Sequence, residues 1–82
     1  MGRSTLIDSA EFAVNEALRR LNDISYFRTI GKDEVREVKH LTFCWKIVLF
    51  SRSIGKYIHV LLEKYNGKIN SIEVRQEYPD GG

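Results

Sequence analysis

The chain has 82 residues, of which 43% are hydrophobic and 29% charged, and its net charge is +2. This length accommodates one folded domain, and the composition argues against disorder. The near balance of charge gives little support to nucleic-acid binding, which usually concentrates several basic residues on one face.

The sequence also restricts the compartment in which the chain can work. Lys46 and Arg52 bracket the longest apolar run, which is too short to cross a bilayer. Asp8 and Glu11 interrupt anything like a signal peptide. The single cysteine, Cys44, cannot form an intrachain disulfide or a cysteine-based zinc cage. We therefore expect a cytoplasmic protein with no membrane partner and no cofactor.

The first predicted element is an amphipathic helix over residues 6–22. Ser4 or Thr5 is the expected N-cap, and Asp8 follows Thr5 at the spacing of a capping box. Residues 1–5 and 79–82 are expected to be frayed termini of a single domain. Apolar side chains recur along the helix at steps of three and four residues, which predicts one buried stripe: Leu6, Ile7, Ala10, Ala13, Val14, Ala17, Leu18 and Leu21.

Residues 24–32 form a connection, and its apolar side chains are expected to cover one end of the core. The next segment, 34–40, is ambiguous because Val35 and Val38 fit helical spacing while residues 38–42 also alternate. We favour a short, irregular edge strand that enters the central strand through a bulge.

The rest of the chain has the pattern of an antiparallel meander. Three runs rich in β-branched and aromatic residues cover 42–51, 56–65 and 69–78, and single glycines separate them. The fold class predicted from the whole chain is α+β, with one N-terminal amphipathic helix packed on three antiparallel strands, or on four if 34–40 joins the sheet.

The turns predict a register for this meander. A two-residue turn at Ile54-Gly55 places Leu49 opposite Val60, and a three-residue turn at 66–68 places Ile72 opposite Leu62. The inner face, directed at the helix, then consists of Trp45, Ile47, Leu49, Ile58, Val60, Leu62, Ile72 and Val74, with Tyr78 as a further candidate.

The opposite, outer face of the predicted sheet carries more apolar side chains than a solvated face needs. Contiguous apolar surface of this kind usually marks an interface, and a two-fold contact between identical copies is its simplest form. We therefore predict a non-enzymatic module that binds another protein, or forms a homodimer, through this face or a strand edge. An alternative is that Phe27 and Ile30 fold round and cover it. The proposed binding residues are Val48, Phe50, Arg52, Tyr57, His59, Leu61 and Arg75.

A rival hypothesis uses the same face for single-stranded nucleic acid. Its aromatic rings would stack on bases while Lys46, Arg52, Lys56 and Arg75 contact phosphates. Enzyme chemistry finds no support in the sequence. His40, His59 and Cys44 lack the companions of a metal or nucleophile site, and Asp33-Glu34 is expected to be solvated surface.

The arrangement Trp45-Lys46-Ile47, Tyr57-Ile58-His59-Val60, Asn66-Gly67-Lys68-Ile69 and Tyr78 resembles two small families. One comprises PepSY-type domains, and the other is the gas-vesicle accessory protein O family. The similarity covers about half the chain. The acidic residues that follow the tryptophan strand in the gas-vesicle family are missing here, as is the aspartate that precedes the turn glycine in both. The resemblance implies a non-catalytic interaction module and transfers no active site.

Overall fold

The computed structural model describes residues 6–27 and 30–78. One helix, α1 (Ala10–Asn22), packs on a four-stranded antiparallel sheet made of β1 (Val35–His40), β2 (Cys44–Ser51), β3 (Lys56–Glu63) and β4 (Ile69–Arg75). The strands lie in sequence order, so the sheet is a simple meander. The predicted fold class is confirmed, and the segment 34–40 supplies the fourth strand.

The helix begins four residues later than the sequence predicts. Its N-cap is Ser9, whose Oγ accepts the N–H of Phe12 at 3.1 Å. Ile7 lies upstream of the helix in a connecting segment, where it is buried and donates its N–H to the carbonyl of Lys64 at 2.7 Å. The proposed caps Ser4 and Thr5 fall outside the described residues, as do both termini that were expected to fray.

The hydrophobic core lies between the helix and the inner face of the sheet. Trp45 belongs to it, and its indole N–H donates to the carbonyl of Ile7 at 2.9 Å. The buried apolar side chains of this core are Ile7, Ala13, Ala17, Leu18, Leu21, Phe27, Ile30, Trp45, Ile47, Leu49, Ile58, Val60 and Leu62. Each strand side chain predicted to face the helix from β2 and β3 is among them.

The connection between α1 and β1 closes one end of this same core. This connection contains two short 3₁₀ turns, Ser25–Phe27 and Lys32–Glu34. The side-chain amide of Asn22 holds the backbone of Ile30, accepting its N–H at 2.7 Å and donating to its carbonyl at 3.2 Å. Phe27 and Ile30 therefore pack on the helix side and do not cover the outer face.

The predicted strand register is wrong by two residues in both hairpins. Leu49 pairs with Ile58 rather than Val60, because the turn after β2 spans the four residues 52–55. Gly55 closes this turn with φ +68°, donating its N–H to the carbonyl of Ser51. A shift of two residues preserves the side-chain parity, so the side chains of β2 and β3, and Ile72 and Val74 of β4, stay on their predicted faces.

In the second hairpin, Ile72 pairs with Val60 and Val74 with Ile58. The pairing slips at the start of β4, where Leu61 faces Ser71 but Leu62 faces Ile69, leaving Asn70 as a bulge. A second irregularity lies in β1 between Val35 and Glu37, at the opposite end of the strand from the entry into β2 where the sequence suggested a bulge.

Candidate protein interface

The outer face gathers most of the side chains that the sequence proposed for binding. Val48 pairs with His59 and Phe50 with Tyr57, whose rings meet edge to face at 4.9 Å between centroids. The β3–β4 register adds Arg75 beside Tyr57. Five of the seven proposed residues therefore form one group across β2, β3 and β4, and Leu61 lies on the same face of β3.

Much of the apolar centre of this face is already covered by its own neighbours. Val48 has no exposed surface, although it lies opposite the helix side of the sheet and outside the main core. Lys46, two residues earlier on the same face, keeps 8% of its surface exposed. Leu61 is half-buried. The contiguous apolar surface is consequently smaller than the sequence pattern predicts.

The chain after β4 turns back over this face. The ring of Tyr78 meets that of Tyr57 at 5.3 Å, and its hydroxyl donates to Glu37 Oε1 at 2.7 Å. Glu37 belongs to β1, where it pairs with Val48 of β2. The Tyr78 side chain therefore connects the end of the last strand to the first strand. This hydrogen bond raises the pKa of the Tyr78 phenol. The expectation that Tyr78 points inward is thus wrong.

His59 lies among charged groups on the same face. Its Nδ1 is 3.9 Å from Glu73 Oε1, while no described residue bonds to its buried Nε2. Burial lowers the pKa of the imidazole, the positive charge of Lys46 lowers it further, and Glu73 offsets only part of this effect. His59 is therefore neutral at pH 7 and contributes a polar edge rather than a cation.

Arg52 does not join the other proposed residues. It lies in the turn after β2, where its guanidinium bonds to Asp33 and its backbone N–H donates to Glu34 Oε2 at 2.9 Å. Its Nε also reaches Glu34 Oε2, at 3.4 Å. Arg52 thus connects the β2–β3 turn to the 3₁₀ turn that precedes β1.

Glu34 is the residue whose role the sequence analysis missed. Expected on the solvated surface, it is 4% exposed and accepts backbone N–H groups from Gly31, at 2.8 Å, and from Arg52. Burial alone would raise the pKa of Glu34, but the hydrogen bonds from Arg52 and Gly31 outweigh it and hold the pKa below its usual value. Glu34 lies three residues after the turn glycine Gly31, and this capping-box spacing is the sequence signal that could have predicted its role as an acceptor.

A second candidate surface is the outer edge of β4. Within residues 6–27 and 30–78, β4 is hydrogen-bonded to β3 alone and ends the sheet. Five of its seven residues are exposed, including Val74 at 37%. Glu73 and Arg75 lie on the outer face of this strand, where Arg75 Nη2 bonds to Glu73 Oε1 at 2.6 Å. Unpaired strand edges of this kind are templates for a further strand.

Backbone direction shows which residues of β4 offer their polar groups at this edge. The N–H of Glu63 donates to the carbonyl of Lys68, and the carbonyl of Glu63 accepts the N–H of Gly67. Both backbone groups of Glu63 therefore point towards β4. Because direction alternates along a strand, His59 also faces β4 and forms a hydrogen-bonded pair with Glu73. The intervening residues Ile72 and Val74 therefore turn their N–H and C=O groups outward.

Comparisons of the chain with protein-family models, with curated proteins and with solved structures gave no significant match. The two family resemblances consequently stay predictions. In the described part of the chain, no helix has the length and apolar character needed to cross a bilayer. The same residues contain no cluster of three or more histidine, cysteine or acidic side chains placed to hold a metal ion.

Proposed function

We propose that this protein is a small, non-enzymatic interaction module of the cytoplasm that associates with a second copy of itself along the edge of β4. The observation that carries this proposal is a terminal strand that, within residues 6–27 and 30–78, pairs with β3 alone and whose Ile72 and Val74 turn their backbone N–H and C=O groups away from it. A second strand there satisfies these groups and covers Val74.

The sequence proposed two binding surfaces, the outer face and a strand edge, and the outer face is the less suitable of the two. Val48, on this face, is already fully buried, and the ring of Tyr78 packs edge to face against that of Tyr57. Docking there would cover little additional apolar area, and it would desolvate the charges of Glu73 and Arg75. The outer-face side chains nearest β4, including Leu61, border the proposed edge contact instead of forming its centre.

Single-stranded nucleic acid is a poorer occupant of the same region. Lys46 is buried, Arg52 is bonded to Asp33 and Glu34, and Arg75 is bonded to Glu73. Lys56 pairs with Ser51 and shares the strand parity of the helix-facing residues. The four cations that would neutralise phosphates are thus engaged or directed elsewhere, which weakens the counterion release on which such binding depends.

Light scattering over a concentration series tests the proposal. We expect the mass to rise towards twice the 9.5 kDa of one chain. Val74→Lys should keep the protein monomeric, because a charge on an exposed edge strand opposes further pairing. Leu61→Glu probes the outer face and should have a smaller effect, and Lys39→Glu on the β1 edge is the matched surface control. A wild-type protein that stays monomeric at millimolar concentration contradicts the proposal.

A further inference from the structure

We propose that two copies pair their β4 strands antiparallel about a two-fold axis at Val74, so that Glu73 of each copy faces Arg75 of the other. This inference rests on the proposed self-association and specifies its register. The result is a continuous eight-stranded sheet with both helices on one face.

The backbone of β4 allows this register. Val74 turns its N–H and C=O groups away from β3, so two copies of Val74 placed opposite each other exchange both hydrogen bonds. The flanking positions then form non-hydrogen-bonded pairs, in which the Cα atoms approach to about 4.5 Å and the side chains lie closest. Glu73 and Arg75 occupy those flanking positions.

Charge selects this register over its neighbours. An axis at Glu73 places two carboxylates opposite each other, which is unfavourable. An axis at Ile72 places Ser71 opposite Glu73 and leaves Arg75 opposite Ile69, the residue before the Asn70 bulge. The axis at Val74 alone creates two opposite-charge pairs. Both residues are about half exposed and already lie on one face, so they need only exchange partners.

The environment of β4 leaves room for this contact. Val74 is 37% exposed on the helix side, so its contact with the second Val74 covers apolar surface on that side. The segment after Arg75 leads to Tyr78, which contacts Tyr57 and Glu37 across the outer face. It therefore runs away from the edge and does not obstruct a second strand. Since the contact is short, we expect a weak, concentration-dependent dimer.

A charge exchange tests the register. Glu73→Arg alone and Arg75→Glu alone each place like charges opposite each other twice per dimer, and each should raise the dissociation constant by about tenfold. The double variant E73R/R75E should restore association. An equimolar mixture of the two single variants should form a heterodimer, because one copy then supplies both cations and the other both carboxylates. Single variants that dimerise as well as the wild type overturn the register.

Cross-linking separates failure of the register from failure of self-association. In a Cys44→Ala background, Val74→Cys should form an intermolecular disulfide on oxidation, because the axis brings the two copies of residue 74 together. Ile72→Cys should not. Cross-linking at 72 and not at 74 contradicts the register but preserves the dimer. A wild-type protein that is monomeric throughout, with no cross-link at either position, overturns both proposals.

Discussion

The two edge strands of this sheet are built differently, although both lack a second strand partner among the described residues. The β1 edge is fastened to the rest of the molecule, since Val35 and Val38 pack on the core and the preceding turn is held by buried Glu34. Three of the six residues of β1 are exposed, against five of the seven in β4. β4 meets the core chiefly through Ile69 and Ile72 and exposes the rest of its length.

This difference indicates how a four-stranded meander can restrict its association with a partner to one of its two edge strands. Glu34 and Arg52 join the turn before β1 to the β2–β3 turn, which stabilises the protected edge. Among the residues that the structure describes, no buried polar side chain holds β4 in this way, and the strand pairs with β3 alone. The edge with the fewest internal restraints is therefore the one available to a partner.

The largest effect that would sharpen this comparison is expected at Glu34. Glu34→Ala removes the acceptor of two backbone N–H groups and of the Arg52 guanidinium, so it should lower the free energy of unfolding by about 2–4 kcal/mol. Urea denaturation measures this change. Asp33→Ala removes the exposed partner of Arg52 and should cost about 0.5 kcal/mol. Equal losses for the two variants would show that the β1 edge has no buried anchor.

Acid should weaken the same anchor. The pKa of Glu34 in the folded protein lies below its usual value of 4.5, so the ionised carboxylate stabilises the fold above that pH. The contribution falls as the pH drops from about 5 through the folded-state pKa. We expect the gap in stability between wild type and Glu34→Gln to be largest near pH 7 and to narrow towards pH 3. A gap that is constant with pH would contradict this account.

Tyr78 links the two edges, and its removal should have a smaller effect. Tyr78→Phe deletes the hydrogen bond to Glu37 but keeps the ring against Tyr57, so the loss of stability should be about 0.5 kcal/mol at this exposed site. The phenol titration gives a second measurement, because Glu37→Gln should lower the pKa of Tyr78. An unchanged titration would show that the tail does not hold β1.

A small gain in stability, instead of a loss, is expected at a like-charge pair on the outer face. Lys39 in β1 lies directly opposite Lys46 in β2, and such pairs are destabilising. Lys39→Glu should therefore raise the free energy of unfolding by about 0.5 kcal/mol, whereas Lys39→Ala should give roughly half of that gain. Thermal or urea denaturation at low salt would detect it. A loss of stability would mean that the two ammonium groups do not interact.

Sequence reasoning predicted the faces of the sheet but not its register. Alternation along a strand decides the face of Ile47 or Val60 locally. Register depends instead on turn length, and the sequence predicted a two-residue turn where the structure has the four-residue turn 52–55. The predicted start of the helix is wrong for a related reason. Leu6 and Ile7 fit helical spacing, yet Ile7 lies upstream of the helix and donates its N–H to the carbonyl of Lys64, a tertiary contact that no local pattern encodes.

The candidate site was predicted only in part, for the same physical reasons. The outer-face residues of β2 and β3 were placed together by alternation, but the burial of Val48 depends on the side chains around it. The open β4 edge depends on strand order across the whole sheet. Glu34 was assigned to solvent because its acceptor role needs the β2–β3 turn, which is 18 residues away at Arg52.

Amide hydrogen exchange by NMR at low and high protein concentration tests the central claim most directly. The backbone of Cys44 faces β1, because its carbonyl accepts the N–H of Leu41, so Val38 and His40 turn their amides away from β2. The account predicts that the amide of Val74 gains protection as concentration rises, while those of Val38 and His40 exchange rapidly throughout. Concentration-independent exchange at Val74, or protection gained at the β1 edge instead, would contradict it.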